Sequence, residues 1–251
     1  MKVLILGGTG NVGKLVIQQL LERDIEVKAI VRSSSRLPSD SVSNPKLTAI
    51  QANLLDLSVS DLASHLKGCD AVVCTLGHNM SYGRIPAIGI WLNARDLVTR
   101  ATKMVCDAVK ELQPEKPIHF VLLNTVGVEN PDGSDTWVRS RLERGLVSFM
   151  NGVLPPYTDS VRSAKHISQE VGKKDSKYLE WVTVRPDGFI DGPVSEYKIM
   201  ESIQHSFYAP DYITKANIAH FMCELLVGQQ LWEQWKFKMP LIIDAKQPEK
   251  K

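Results

Sequence analysis

The sequence is poor in cysteine and has no histidine pattern typical of a metal site. None of its six histidines belongs to a His-Glu-x-x-His motif. No two cysteines have the close spacing of a zinc or redox motif; the four are Cys69, Cys74, Cys106 and Cys223. We therefore expect no metal site. We also expect reduced, mostly buried thiols, among which Cys74 would be chemically inert.

Long apolar runs and a strong charge of one sign are also missing. No apolar stretch is long enough to cross a bilayer, and the short first one is not followed by a signal-peptide cleavage site. The formal net charge is only +2, and the basic residues are scattered. These features predict a cytoplasmic protein that has neither a membrane nor a nucleic acid as its partner.

What the 251 residues do contain is a regular alternation of strand-like and helix-like segments. Near-continuous apolar runs, such as KVLIL at 2–6 and IHFVLL at 118–123, are separated by amphipathic stretches. This alternation predicts a parallel sheet that is covered on both faces. We therefore expect one α/β domain over residues 1–251, with the doubly wound parallel sheet of a Rossmann fold.

Two stretches, 77–93 and 188–213, interrupt this alternation. Each follows the end of a predicted strand, and open α/β sheets bind ligands at the carboxyl ends of their strands. Long loops at that edge are often functional. The two stretches are therefore candidate lids or substrate loops, and ordinary surface insertions are the alternative.

The sequence GGTGNVG, at 7–13, joins the first predicted strand to the first predicted helix. Gly7 permits a sharp exit from the strand, Gly10 lets a diphosphate approach the backbone, and Gly13 lets helix and strand pack closely. The free N–H groups and the dipole of the helix start favour a phosphate. The pattern predicts a nucleotide-binding turn rather than a merely structural one. The predicted contacts within it are Gly7, Thr9, Gly10, Asn11, Val12 and Gly13.

The second predicted strand ends in VRSSSR, at 31–36, without the acidic residue that would bind an adenosine ribose hydroxyl. Arg32 takes that place, and a guanidinium group suits a 2′-phosphate. We expect Arg32, Ser33 and Arg36 to contact this phosphate, so NADP(H) is favoured over NAD(H). A solvated Arg32 at the strand end is the alternative.

Taken together, GGTGNVGK, VRSSSR and WVTVRPDGFIDGP resemble the atypical short-chain dehydrogenase/reductase superfamily. Within it, the chain is most similar to the NmrA-like and flavin (biliverdin) reductase-like NAD(P)-binding group. The resemblance extends to QANLLD, VVCTLG and VLLNTVGV, and it implies further cofactor contacts there. These implied contacts are Asn53, Leu54, Thr75, Leu76, Gly77 and Asn124.

The catalytic motif departs from the superfamily. Active members typically carry Tyr-x-x-x-Lys and a nearby serine, and here Lys165 takes the lysine position whereas Val161 takes that of the tyrosine. The resemblance implies that Lys165 contacts the cofactor or exchanges a proton; a helix-surface lysine is the alternative. Thr125 or Asn124 occupies the serine region. Tyr82 could close over the nicotinamide, with a packing role as the alternative.

Two functions are consistent with these residues. The first is an NADPH-dependent oxidoreductase that transfers hydride to a small-molecule substrate, such as a flavin, a quinone or a similar carbonyl or conjugated compound. The second is an NmrA-like redox sensor that binds NADP(H) without turnover, as a homodimer or with a protein partner. The missing tyrosine supports the sensor, but hydride transfer to an acceptor that stabilises negative charge needs no phenolic acid. We prefer the reductase.

Overall fold

The apolar runs of the sequence form strands, and the amphipathic stretches between them form helices. The computed structural model describes residues 1–78, 95–131, 133, 135, 140–173, 177–203 and 210–247. The strands are β1 (Lys2–Leu6), β2 (Glu26–Val31), β3 (Leu47–Gln51), β4 (Ala71–Cys74), β5 (Ile118–Leu123), β6 (Leu179–Pro186), β7 (Gly188–Ile190), β8 (Tyr197–Met200), β9 (Tyr212–Thr214) and β10 (Leu241–Asp244). The helices are α1 (Asn11–Glu22), α2 (Ser39–Val42), α3 (Val59–Leu66), α4 (Leu97–Leu112), α5 (Arg141–Val153), α6 (Pro155–Lys165), α7 (Lys215–Val227) and α8 (Gln229–Trp235). A π-helical turn, His166–Val171, continues α6.

Across the described residues, the main sheet has the strand order β3-β2-β1-β4-β5-β6-β10-β8. Its strands are parallel except β8, which runs antiparallel to β10. In β1, Leu4 lies between Lys28 of β2 and Val72 of β4. The chain first builds the sheet from β1 towards β3 and then returns to add β4 on the other side of β1. The doubly wound parallel sheet predicted from the sequence is therefore confirmed, and its direction reverses between β1 and β4.

Helices cover both faces of this sheet. Val3 and Ile5 of β1 belong to a core shared with α1 and α7, whereas Leu4 and Leu6 belong to a core shared with α3 and α4. Such double burial explains why these strands are continuous apolar runs rather than alternating ones. Among the helices that the structure describes, none is long and apolar enough to cross a membrane. Because both faces of the sheet are covered by apolar cores, polar groups can meet at the edge formed by the strand ends.

The segment 188–213, predicted as a lid or substrate loop, contains short strands. β8 joins the edge of the main sheet, and β7 pairs with β9 in a separate two-stranded sheet. β8 finds its partner in β10, which comes about 40 residues later in the chain, so no local pattern signals this pairing. Residues 204–209 of this segment, and 79–93 of the first predicted loop, lie outside the described residues. That either segment is a lid stays a prediction.

Candidate functional site

The glycine turn after β1 leaves no room for a side chain at Gly7. Gly7 has a φ of +88°, in the left-handed region that glycine adopts without strain. A Cβ atom at this position would lie 2.8 Å from the backbone nitrogen of Leu76. The amide of Gly10 donates a hydrogen bond of 2.9 Å to the carbonyl oxygen of Gly7 and closes the turn.

The end of β4 holds this turn in place. The hydroxyl of Thr75 donates to the carbonyl oxygens of Leu6 and Gly7, at 3.2 Å each. A Cβ atom on Gly13 would lie 2.6 Å from that hydroxyl oxygen and 2.2 Å from the carbonyl oxygen of Gly7. The glycines therefore let β1, α1 and the end of β4 meet at the point where the sheet changes direction.

The start of α1 carries no side-chain cap. Gly10 is the N-cap residue, its backbone is extended with a φ of −78°, and the first turn contains no acidic residue. The amides of Asn11, Val12 and Gly13 have no acceptor within the helix. Gly10 and Asn11 are exposed. The positive end of the α1 dipole is therefore open to an anion.

Basic side chains follow the end of β2, the neighbouring strand. Leu6 of β1 is in register with Ile30, so Arg32 lies just beyond the strand end on the edge that carries the glycine turn. Arg32 and Arg36 are exposed, and neither forms an ion pair or a hydrogen bond within the described part of the chain. The hydroxyls of Ser33 and Ser35 bond each other at 2.8 Å. These positive charges are available to an anionic ligand.

The late segment reaches the same region. A cavity of about 480 Å³ beside the first turn of α1 is lined in part by Asn11, Lys14 and Pro38. Its other wall includes Asp191 and Lys215, which form an ion pair of 2.8 Å. The segment after β7 therefore lies next to the glycine turn, although the two are far apart in sequence.

The predicted cofactor contacts that follow β3 and β4 differ in whether their side chains are already bonded or buried within the protein. Asn53 donates a hydrogen bond of 2.9 Å to the carboxylate of Asp56, and Leu54 is buried in the core that packs on α3 and α4. Leu76 is half-buried, and a Cβ atom on Gly77 would meet no described residue within 4 Å. Among the described residues, Gly77 is therefore unobstructed, whereas Asn53 is engaged within its own turn.

Hydrogen bonds connect the end of β5 to α6. The side-chain amide of Asn124 donates to the carbonyl oxygen of Ser160 at 3.0 Å and to the hydroxyl of Ser163 at 3.4 Å. The Asn124 side-chain oxygen accepts from the amide of Thr125 at 2.9 Å. The Tyr157 hydroxyl donates to the carbonyl oxygen of Gly127. Asn124 is therefore a buried connector between β5 and α6.

The inward face of α6 carries Asp159 and Ser163, which are both buried and are four residues apart. Val161 is half-buried, and Lys165 is exposed. Ser163, rather than Lys165, is therefore the side chain that the structure brings to Asn124. The predicted roles of Lys165 and Thr125 stay predictions, and Tyr82 lies outside the described residues.

Sequence reasoning missed one polar pair at this edge, His78 and Asp159. Nε2 of His78, four residues after the end of β4, lies 2.8 Å from a carboxylate oxygen of Asp159 on α6. That carboxylate also accepts from the amides of Val98 and Thr99, at 2.7 and 2.8 Å, in the first turn of α4. The two residues are 81 positions apart, so no motif connects them. The one available signal was a histidine directly after a predicted buried strand.

Hydrogen bonding keeps Asp159 ionised. Burial works to raise the pKa of this carboxyl, but the hydrogen bonds from His78, Thr99 and Val98 outweigh it and hold the pKa below its usual value. An ionised carboxylate only accepts hydrogen bonds, so Nε2 of His78 must carry the proton that points to it. The neutral His78 ring then has Nδ1 as its acceptor atom.

Two further expectations concern thiols and metals. Cys74 is fully buried at the end of β4, and burial raises the pKa of its thiol to about 12. The expected burial of this thiol is therefore confirmed, and the raised pKa disfavours the reactive thiolate, whereas its chemical inertness stays a prediction. In the part of the chain that the structure describes, no group of histidine, cysteine and acidic side chains could hold a metal ion.

Known proteins resemble this chain in sequence and in structure. A family model described as NAD(P)H-binding matches residues 7–228. YhfK of Bacillus subtilis, an uncharacterized sugar epimerase, is 23% identical over 221 residues, which is 87% of each chain. The oxidoreductase ylbE of Lactococcus lactis has a TM-score of 0.68 at 16% identity, covering 98% of this chain and 92% of its own. ChuY, an anaerobillin reductase from Escherichia coli, has a TM-score of 0.66 at 14% identity, covering 100% of this chain and 99% of its own. At these identities the structural matches establish the fold.

Proposed function

The chain belongs to the NAD(P)H-binding family, whose model matches residues 7–228, and we propose that it is an NADPH-dependent oxidoreductase of the atypical short-chain dehydrogenase/reductase type. Its substrate would be a small acceptor of hydride, such as a flavin, a quinone or a similar carbonyl or conjugated compound. The bound nicotinamide nucleotide supplies the hydride. The chain's own residues bind and orient the two reactants.

The glycine turn fits a dinucleotide. Gly10 leaves its surface without a side chain, and the amides of Asn11, Val12 and Gly13 point out of an uncapped helix start. In this proposal those amides hold the diphosphate, with Gly7 and Thr9 shaping the turn. Thr75, Leu76 and Gly77 line the cofactor from the end of β4, and Asn124 from the end of β5. Asn53 and Leu54 lie on the adenine side.

Arginine at the end of β2 would select NADP(H). Arg32 is exposed and carries a charge that no described residue neutralises. In the proposal its guanidinium group binds the 2′-phosphate, assisted by Ser33 and Arg36. An adenosine without this phosphate would leave the arginine without a partner. The preference for NADPH over NADH follows from that difference.

Hydride transfer in this protein would proceed without a phenolic acid. An acceptor such as a flavin or a quinone spreads the incoming negative charge over a conjugated ring, so the main task of the protein is to orient the rings. Lys165 and Thr125 remain the residues proposed from family position to act beside the nicotinamide, and Tyr82 remains the residue proposed to close over it. The similar fold of ChuY, which is described as an anaerobillin reductase, supports a conjugated acceptor.

One observation carries the proposal most directly: the uncapped start of α1 and Arg32, which no described residue pairs, follow the ends of neighbouring strands on the same sheet edge. The test is oxidation of NADPH by the purified protein with a panel of flavins and quinones, followed by the loss of absorbance of the reduced nicotinamide. We expect turnover with NADPH and slower turnover with NADH. NADPH binding without turnover across the panel would contradict the reductase and favour the redox sensor.

A further inference from the structure

In the His78–Asp159 pair, the carboxylate of Asp159 holds the His78 ring in one orientation, and the ring has a second nitrogen that can exchange a proton. The His78 side chain is 8% exposed and that of Asp159 is fully buried. Nε2 is bound to the carboxylate, whereas Nδ1 has no hydrogen-bond partner among the described residues. A histidine held through one nitrogen by an ionised carboxylate can give or take a proton at the other nitrogen.

The pair also lies at the edge where the proposed reaction takes place. His78 comes three residues after Thr75, whose hydroxyl binds the glycine turn. Asp159 is next to Ser160, whose carbonyl oxygen accepts from Asn124 at the end of β5. The pair is therefore anchored to the ends of β4 and β5, beside the point where the sheet changes direction.

Helix capping alone does not account for the histidine. The amides of Val98 and Thr99 already bind the two carboxylate oxygens of Asp159 and satisfy the first turn of α4. His78 adds a third hydrogen bond to the same carboxylate, through a ring whose second nitrogen can carry a proton. The neighbouring thiol of Cys74 does not compete as a proton donor, because burial raises its pKa to about 12.

We propose that His78 is the proton donor to the reduced acceptor, and that Asp159 is the residue that positions it. This inference rests on the proposed reductase function and names the proton source for it. Hydride brings two electrons and one proton to the acceptor, which becomes an anion. The His78 imidazolium then breaks its Nδ1–H bond and gives that proton to the anionic oxygen or nitrogen of the acceptor. The ring becomes neutral with Nε2–H still bound to Asp159, and solvent restores its proton.

The first experiment compares wild type with His78→Gln, whose amide can still donate to Asp159. Two quinones of similar size and reduction potential are used, one giving a hydroquinone that is ionised at the assay pH and one giving a neutral hydroquinone. We expect His78→Gln to lower kcat about 100-fold for the second quinone and less than about threefold for the first. Thr102→Val is the matched control, because it removes a buried hydroxyl of α4 that donates to the carbonyl oxygen of Val98 and does not bind Asp159.

Equal kcat for wild type and His78→Gln with both quinones would overturn the proposal, and so would equal slowing with both. Calorimetry with NADPH establishes that each variant still binds the cofactor. A wild type that binds NADPH but reduces neither quinone would contradict the reductase function itself. That outcome is visible before any variant is compared, so the two failures are distinguishable.

A second readout needs no turnover. Nitrogen-15 NMR of the cofactor-free protein reports which ring nitrogen of His78 carries the proton when the ring is neutral. We expect protonated Nε2 and bare Nδ1 in wild type, and a mixture of the two tautomers in Asp159→Asn. Wild type with the proton on Nδ1 would overturn the assignment of Asp159 as the positioning residue. A folded Asp159→Asn that keeps the wild-type tautomer and wild-type kcat would overturn it as well.

Discussion

A Cβ atom on Gly13 would lie 2.2 Å from the carbonyl oxygen of Gly7, well inside contact distance. At Gly10 the same atom would lie 3.3 Å from that oxygen, which a small shift can accommodate. Gly7, Gly10 and Gly13 therefore have different structural roles. Gly7 and Gly13 allow the backbone to pack, whereas Gly10 keeps the outer surface of the turn bare. Substitution at Gly13 and Gly10 should separate folding from binding.

Gly13→Ala should destabilise the protein. The added methyl group would meet backbone and the Thr75 hydroxyl, neither of which is the flexible end of a long side chain. We expect a loss of about 2 kcal/mol or more in the free energy of unfolding, and a fall in Tm of roughly 5 °C. Thermal unfolding in the absence of ligand measures this. An unchanged Tm would contradict the close approach of α1 to the glycine turn.

Gly10→Ala should leave the fold intact and weaken binding of the nucleotide. Its backbone angles suit an L-residue, but the methyl group would project where the diphosphate is proposed to lie. We expect Tm within about 2 °C of wild type and at least a tenfold rise in the Kd for NADPH. Gly145→Ala is the control, since a Cβ atom there meets no described residue within 4 Å. Wild-type affinity in Gly10→Ala would argue against a diphosphate at this turn.

Arg32→Ala should abolish most of the preference for NADP(H). The guanidinium group is exposed and unpaired within the described chain, so its removal costs little stability. We expect the Kd for NADPH to rise about tenfold or more while that for NADH changes little. Arg162→Ala, which removes the same charge from an exposed position on α6, controls for net charge. Equal weakening of both nucleotides would reject the 2′-phosphate role.

Acid should destabilise the wild type partly through Asp159. The pKa of this carboxyl is lowered in the folded protein, so the folded state stays ionised at a pH where the unfolded chain takes up a proton. Its contribution to stability is present above the unfolded value of about 4 and is lost as pH falls through the lower folded pKa. Asp159→Asn lacks this contribution. Denaturant unfolding between about pH 5 and pH 3 should therefore show a shallower loss of stability in the variant. Parallel losses in the two proteins would contradict this account of Asp159.

The sequence predicts the interior of this fold better than its edge. β1 to β6 are recognisable because buried parallel strands are continuous apolar runs with helical stretches between them. The pairing of β8 with β10 has no such local signal, because Tyr197 and Asp244 meet only through the tertiary fold. The strands within 188–213 are therefore a result of the structure alone.

The candidate site likewise contains residues that the sequence could predict and residues that only the folded structure identifies. Gly7 and Gly13 could be assigned steric roles from spacing, since a strand, a turn and a helix follow one another along the chain. Lys165 was placed by the register of a family motif, but the inward face of α6 is set by packing and carries Asp159 and Ser163. His78 and Asp159 meet across 81 positions, so only the folded chain brings them together.

The most direct test of the central claim is calorimetric titration of the purified protein with NADPH and, separately, with NADH. The claim is that the glycine turn and the start of α1 bind the diphosphate, and that Arg32 selects the 2′-phosphate. It predicts saturable binding of one NADPH per chain, with an affinity at least about tenfold above that for NADH. Absence of heat with either nucleotide at millimolar concentration, together with an unchanged Tm, would contradict it.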